Sequence, residues 1–148
     1  MADLTVTLKE DITVRGHQYG GSKSFTITGI NEVSKRVISI PASNDVTIAT
    51  FAASVHTSVQ AFDVEDTRYV RVTNLDATYT VNVACVGASD NFQVLLQPGQ
   101  SFYLGKTEDC MLGETDTSPA FASLEDLASI IVDSGANAID VELFVAGV

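Results

Sequence analysis

The stretch Arg68-Tyr-Val-Arg-Val-Thr-Asn-Leu75, then Asp76-Ala77, then Thr78-Tyr-Thr-Val-Asn-Val-Ala-Cys-Val86, decides the fold class. A loop over 87–91 follows, then Phe92-Gln-Val-Leu-Leu-Gln97, Pro98-Gly99-Gln100 and Ser101-Phe-Tyr-Leu104. Apolar residues recur at every second position: Val70 and Val72; Tyr79, Val81, Val83 and Cys85; Phe92, Val94 and Leu96; Phe102 and Leu104. A period of two is that of strands with one buried face. Asn74-Leu-Asp-Ala-Thr78 reads as a short connection. Pro98-Gly99 reads as a tight turn, with proline pre-setting one φ and glycine supplying the positive one. Strands joined so briefly are expected to pair antiparallel.

The same alternation continues on both sides. Leu4, Val6 and Leu8 alternate with Thr5, Thr7 and Lys9, and Ile12 and Val14 resume the parity after Glu10-Asp11. One bulged strand and two short strands both fit this pattern. Residues 16–22 form a glycine-rich loop that suits a hairpin tip, and Phe25 and Ile27 mark a short strand at 24–28. Strands follow at 35–40, ended by Pro41, and at 45–51. Residues 52–61 read as a strand or an irregular crossover. Lys106 to Ala122 reads as an exposed loop. Ser123-Leu-Glu-Asp126 resembles a helix start of at most a turn or two, with Ser123 as cap. Ile139, Val141, Leu143 and Val145 face inward on a closing strand, with Asp140 and Glu142 outward.

Eight to ten short strands with little helix imply one all-β domain over residues 1–148. The expected form is an antiparallel β-sandwich, a jelly roll because of the long connections at 52–66 and 106–122, with at most one short helix. The composition agrees. The chain of 148 residues is 45% hydrophobic, with 18 Val and 15 Thr, both suited to a pleated, half-buried surface. No apolar run approaches the length of a membrane-spanning helix, and Met-Ala-Asp-Leu-Thr-Val-Thr lacks a signal core, so assembly in the cytoplasm is expected.

Charge is uneven. The formal net charge is −11, with ten acids and eight bases before residue 107 and nine acids with no base after it. Such a surface repels phosphate backbones, so no direct nucleic-acid partner is expected. Two cysteines, Cys85 and Cys110, make no disulfide framework, and Cys85 shares a strand face with Val81 and Val83 as a buried thiol.

No constellation for catalysis emerges. His17 and His56 stand 39 positions apart, and both read as surface residues. There is no Gly-x-Ser-x-Gly elbow, P-loop or dinucleotide fingerprint. Glu108, Asp109, Glu114 and Asp116, and likewise Asp63, Glu65 and Asp66, are acid groups that calcium could use, but they lack EF-hand spacing and read as solvated loops. The expectation is a non-enzyme without cofactor or metal. Arg68, Tyr69 and Arg71, with Tyr19, form the candidate contact surface, since Arg and Tyr are favoured at interfaces.

Three segments carry a family resemblance: Tyr-Val-Arg-Val-Thr-Asn-Leu75, Phe-Gln-Val-Leu-Leu-Gln-Pro-Gly-Gln-Ser-Phe102 and Ile-Asp-Val-Glu-Leu-Phe-Val145. Over about half the chain they resemble the β-sandwich accessory proteins of tailed-bacteriophage heads. That resemblance implies a virion structural protein, a jelly-roll decoration (cement) subunit, usually a homotrimer, bound to the major capsid protein or other virion subunits. No N-terminal arm of the kind some cement proteins extend is evident in the sequence. The alternative is a carbohydrate- or receptor-binding β-sandwich module, with Tyr19 and Tyr103 as exposed aromatics.

Overall fold

The computed structural model describes residues 1–53, 61–112 and 124–148. The strands, in chain order, are β1 (Ala2–Glu10), β2 (Thr13–Val14), β3 (His17–Gln18), β4 (Gly21–Ile30), β5 (Glu32–Ile40), β6 (Asp45–Ala52), β7 (Ala61–Asp63) and β8 (Thr67–Asn74). They continue with β9 (Val81–Val86), β10 (Asn91–Leu96), β11 (Ser101–Leu104), β12 (Met111–Leu112), β13 (Leu124–Glu125), β14 (Ser129–Asp133) and β15 (Ile139–Gly147). Among the described residues there is no helix.

Two sheets face each other. The first has the order β11-β8-β15-β5 and the second β10-β9-β14-β6-β7. All neighbours pair antiparallel except β6 and β7, which run parallel with Phe51 opposite Phe62. The core between the sheets takes Val70 and Val72, Val81, Val83 and Cys85, Ile130 and Val132, and Val141, Leu143 and Val145, all buried. The alternation at 139–145 therefore points as the sequence predicts. Val94, Phe92, Phe102 and Leu104 pack at the rim of the core, and Tyr79 stands outside it, exposed beyond the start of β9.

The connections differ from expectation. β8 and β9 do not pair, nor do β10 and β11; each short turn carries the chain from one sheet to the other. Of these four strands, β9 and β10 form a hairpin, across 87–90. The physical reason lies in Asn74, which is fully buried. Its Nδ2 donates to the carbonyls of Tyr79 (2.8 Å) and Leu96 (3.2 Å), and its Oδ1 accepts from the Asp76 amide at 3.0 Å. The Asn74 amide donates to Gln100 O at 2.9 Å, and Gly99 N donates to Asn74 O at 3.1 Å. One side chain thus supplies the partners that a hairpin ladder would have given, at two corners at once. Gly99 has φ +74°, the positive dihedral its turn demands.

The other buried polar residues act in a similar way. Thr67 donates to Asp63 O, Thr107 to Val64 O and Ser134 to Pro41 O, at 2.6, 2.9 and 2.7 Å. Each satisfies a connection carbonyl that the ladders leave over. The Asp76 carboxylate caps its turn by accepting from Tyr79 N and Thr78 N, and those bonds hold its pKa below the ordinary value.

Two expectations near the end of the chain are corrected. Leu124-Glu125 is a strand paired with Met111-Leu112, not a helix start, and Ser129–Asp133 lies between β9 and β6. Sheet pairing on both edges overrides a capping pattern whose downstream residues, Ile130 to Val132, are β-branched. Residues 106–112 are also less exposed than a loop: Thr107 is buried and Met111 enters the core. Residues 54–60 with His56, read from sequence as a strand or an irregular crossover, and residues 113–123 with Glu114, Asp116 and Ser123, lie outside the described residues.

Residues 2–30 form the strands and hairpin that the sequence reading allows, as two strands in place of one bulged strand, but they stand apart from both main sheets. They form a two-stranded ribbon, β1 with β4, in register from Leu4↔Ile27 to Glu10↔Gly21. The ribbon is extended by the hairpin of β2 and β3. Arg15 and Gly16 make its two-residue tip, with φ of 51° and 82°, as a type I′ loop requires. The tip thus falls at residues 15–16, at the start of the stretch read as a hairpin tip. Strand parity reports that one face is apolar; it does not report which layer that face meets.

Replacing Asn74 with Leu keeps the branched shape, at a somewhat larger volume, and removes the amide. The expected cost is about 1–3 kcal/mol for each carbonyl left unpartnered, read as a lowered urea midpoint. Burial pushes the Cys85 pKa up to about 12. The native thiol should stay inert to iodoacetamide from neutral pH to well above the normal thiol range, and alkylate once urea unfolds the chain.

Candidate functional site: the groove beneath the ribbon

The ribbon has two chemically different faces. Thr5 opposes Thr26 and Thr7 opposes Ser24, with hydroxyl contacts of 3.3 and 2.8 Å across the pair. The other face carries Leu4, Val6, Phe25 and Ile27 in opposed pairs. Its base is anchored: Leu4, Val6 and Ile27 pack on a small second core of Ile30, Tyr69 and Ala146. Farther out the ribbon loses its support, and Leu8, Phe25, Ile12 and Val14 are exposed.

Between the ribbon and the outer face of the first sheet runs an open groove of about 490 Å³. One wall is residues 4–8; the floor is Tyr69 and Arg71 from β8, Ser101 and Tyr103 from β11, and Phe144 from β15. Five consecutive β1 residues line it, which a strand achieves with its edge, because a face shows only every second residue. Among the described residues that edge of β1 has no ladder partner, since β1 pairs there with β4 alone.

The floor is an aromatic cluster. Tyr69 stacks on Tyr103 with centroids 6.2 Å apart and meets Phe144 edge-on at 6.0 Å. The Arg71 guanidinium lies 5.7 Å over the Phe144 ring. Arg71 also pairs with Glu142, whose other oxygen takes Lys35 at 3.2 Å. The Arg71 Nε is buried without a hydrogen-bond partner. Burial raises the Tyr69 pKa, with Arg71 opposing. The groove therefore offers rings and an open strand edge.

The residues singled out from sequence divide as follows. Tyr69 and Arg71 meet on the groove floor, although Tyr69 is only 6% exposed and works as the ribbon's anchor. Arg68 turns away at the start of β8 to the carbonyls of Glu65 and Thr67. Tyr19 stands near the ribbon tip, 68% exposed. Tyr103, noted as an exposed aromatic, lines the groove; Phe144 was missed. Its signal was present: Tyr69, Tyr103 and Phe144 all occupy the outward parity of their strands, where Phe144 follows Asp140 and Glu142.

Elsewhere, Glu125 accepts the amides of Ser89 and Asp90, so its carboxylate is spent on the β9–β10 loop. Among the described residues no group of three or more His, Cys, Asp or Glu side chains could hold a metal ion, and no helix is long and apolar enough to cross a membrane. His17 is exposed on β3, and Cys85 and Cys110 are free thiols.

No protein-family model matches the chain, and no curated protein matches it. A solved structure described as "Bacillus endospore appendages form a novel family of disulfide-linked pili" aligns with 82% of this chain and 92% of its own. The identity is 9% and the TM-score 0.39, a likeness too low to bear on fold or function.

Phe144→Ala removes an edge-on ring and part of the ribbon's seat. Amide hydrogen exchange at residues 4–8 should accelerate while exchange in β9 and β14 stays at wild-type rates.

Proposed function

We propose that this chain is a structural subunit of a multi-copy particle, a decoration protein of a tailed-phage head. The β-sandwich serves as its rigid body and the ribbon as its reaching arm. The observation that carries this reading is the ribbon itself. A lone two-stranded ribbon is marginal in water. Here its outer half exposes Leu8, Ile12, Val14, Tyr19 and Phe25 with no second layer over them. Apolar surface held away from the body is surface prepared for another macromolecule. Repeated over many copies, such contacts need no single high-affinity residue.

The strand order supports the same reading. Counting the eight strands β5, β6, β8, β9, β10, β11, β14 and β15 from one to eight, the sheets run 1-8-3-6 and 2-7-4-5. We read this as a jelly roll, with β7 added at one edge. In a virion subunit of this kind the partner is the major capsid protein, and the location is the assembled head.

The carbohydrate-binding reading rests on one feature. The outer face of the second sheet carries a shallow depression of about 300 Å³ lined by Asp45, Asn82, Asn91, Gln93 and Asp133. Amides and carboxylates of that kind suit hydroxyl groups. The groove beneath the ribbon, larger and richer in rings, favours a protein partner.

Purified protein mixed with undecorated tailed-phage capsids should co-sediment with them at saturating stoichiometry, and a chain lacking residues 9–22 should not. Failure of the full chain to sediment with capsids, together with a positive glycan array, would replace the decoration reading with the carbohydrate one.

A further inference from the structure

We propose that the groove beneath the ribbon receives the ribbon tip of a second copy of this chain, which adds its strand to the free edge of β1. Donor and acceptor are both on one molecule but cannot meet within it. Val14 stands eight residues beyond Val6, roughly 27 Å along an extended strand, so the tip is carried away from its own groove. The register of β1 on β4 runs unbroken from Leu4 to Glu10, and beyond the interruption at 11–12 and 19–20, Tyr19 N donates to Ile12 O at 3.0 Å, which keeps the two sides of the ribbon joined up to the tip.

The surfaces are complementary. The tip presents Ile12 (53% exposed), Val14 (45%) and Tyr19 (68%). The groove presents Tyr103 and Phe144, with Leu8 on the opposite wall. Backbone groups on the β1 edge take an added strand by ladder bonds, the mode of β-augmentation.

Charge selects the ribbon for this contact. Residues 1–30 hold three acids and three bases and are neutral. Residues 31–148 hold sixteen acids and five bases, a net of −11. Two bodies repel each other, whereas a neutral ribbon, whose outer half sets Lys9, Arg15 and Lys23 against Glu10 and Asp11, approaches a neighbouring body without that penalty. The contact joins unlike surfaces, so it closes into a ring or continues as an open row.

The test is solution mass by analytical ultracentrifugation over a dilution series, without any particle present. The wild-type chain should self-associate. Tyr19→Asp, on the tip, and Tyr103→Asp, in the groove, should each weaken association by ~30-fold or more, as loss of a central aromatic anchor does. Mixed together, the two variants retain one intact tip and one intact groove per pair, so a heterodimer should form where each alone is monomeric. Both replaced side chains are solvent-exposed, and melting curves should match wild type. Should Tyr103→Asp melt early, Leu8→Asp takes its place under the same criteria. A wild-type monomer throughout, a variant that keeps the wild-type mass, or a mixture that stays monomeric overturns the proposal. A monomer that still binds capsids overturns this contact and leaves the decoration reading standing; an oligomer that ignores capsids does the reverse.

Discussion

The sandwich depends on one buried amide. Asn74 ends β8 at the corner where the chain leaves the first sheet, and its side chain holds the carbonyls of Tyr79 and Leu96. Those carbonyls belong to the two segments that change sheets, 74–81 and 96–101. An unpaired carbonyl in a dry corner costs about 1–3 kcal/mol. A residue that satisfies two of them, and takes the Asp76 amide with its own oxygen, removes that penalty from both tight crossings. Thr67, Thr107 and Ser134 repeat the device singly at other connections.

With the interior satisfied in this way, chemistry is left to the outside, and the two outer faces differ. The second sheet shows amides and carboxylates. The first shows Tyr69, Tyr103 and Phe144, with Arg71, Lys35 and Glu142 linked beside them. The exposed part of that ion-pair network contributes little stability, about 0–1 kcal/mol per pair. Its role is to fix the guanidinium over the Phe144 ring, which shapes the groove floor.

The ribbon couples this face to the rest of the chain. It leaves the body at Ile30, next to the first residue of β5, and its base packs on Tyr69 and Ala146. The base is thus held by the same strand, β8, whose other face builds the core. The outer half has no such support, and the hydroxyl pairs Thr5–Thr26 and Thr7–Ser24 stabilise the ribbon across its own width. An element anchored at one end and apolar at the other is a mechanical arrangement for reaching a neighbour.

Strand content, the inward parity of Val70, Val72, Val81, Val83, Val141 and Leu143, and the burial of Cys85 were all legible in the residues alone, because a two-residue period and β-branched side chains leave few other arrangements. The Pro98-Gly99 turn was legible too, since only glycine takes the positive φ there without strain. Tyr69 and Arg71 could be read as surface-type residues on a core strand. Which strands pair was not written locally, because short turns serve hairpins and sheet crossings equally until Asn74 supplies the missing partners. The strand at 124–125 depends on long-range pairing with Met111-Leu112 and emerged only with the folded chain; the hairpin of residues 2–30 was legible as alternating strands around a glycine-rich tip, but its seat over the first sheet was not. An apolar face written every second residue has no record of what it packs against; that is fixed only when the layers meet.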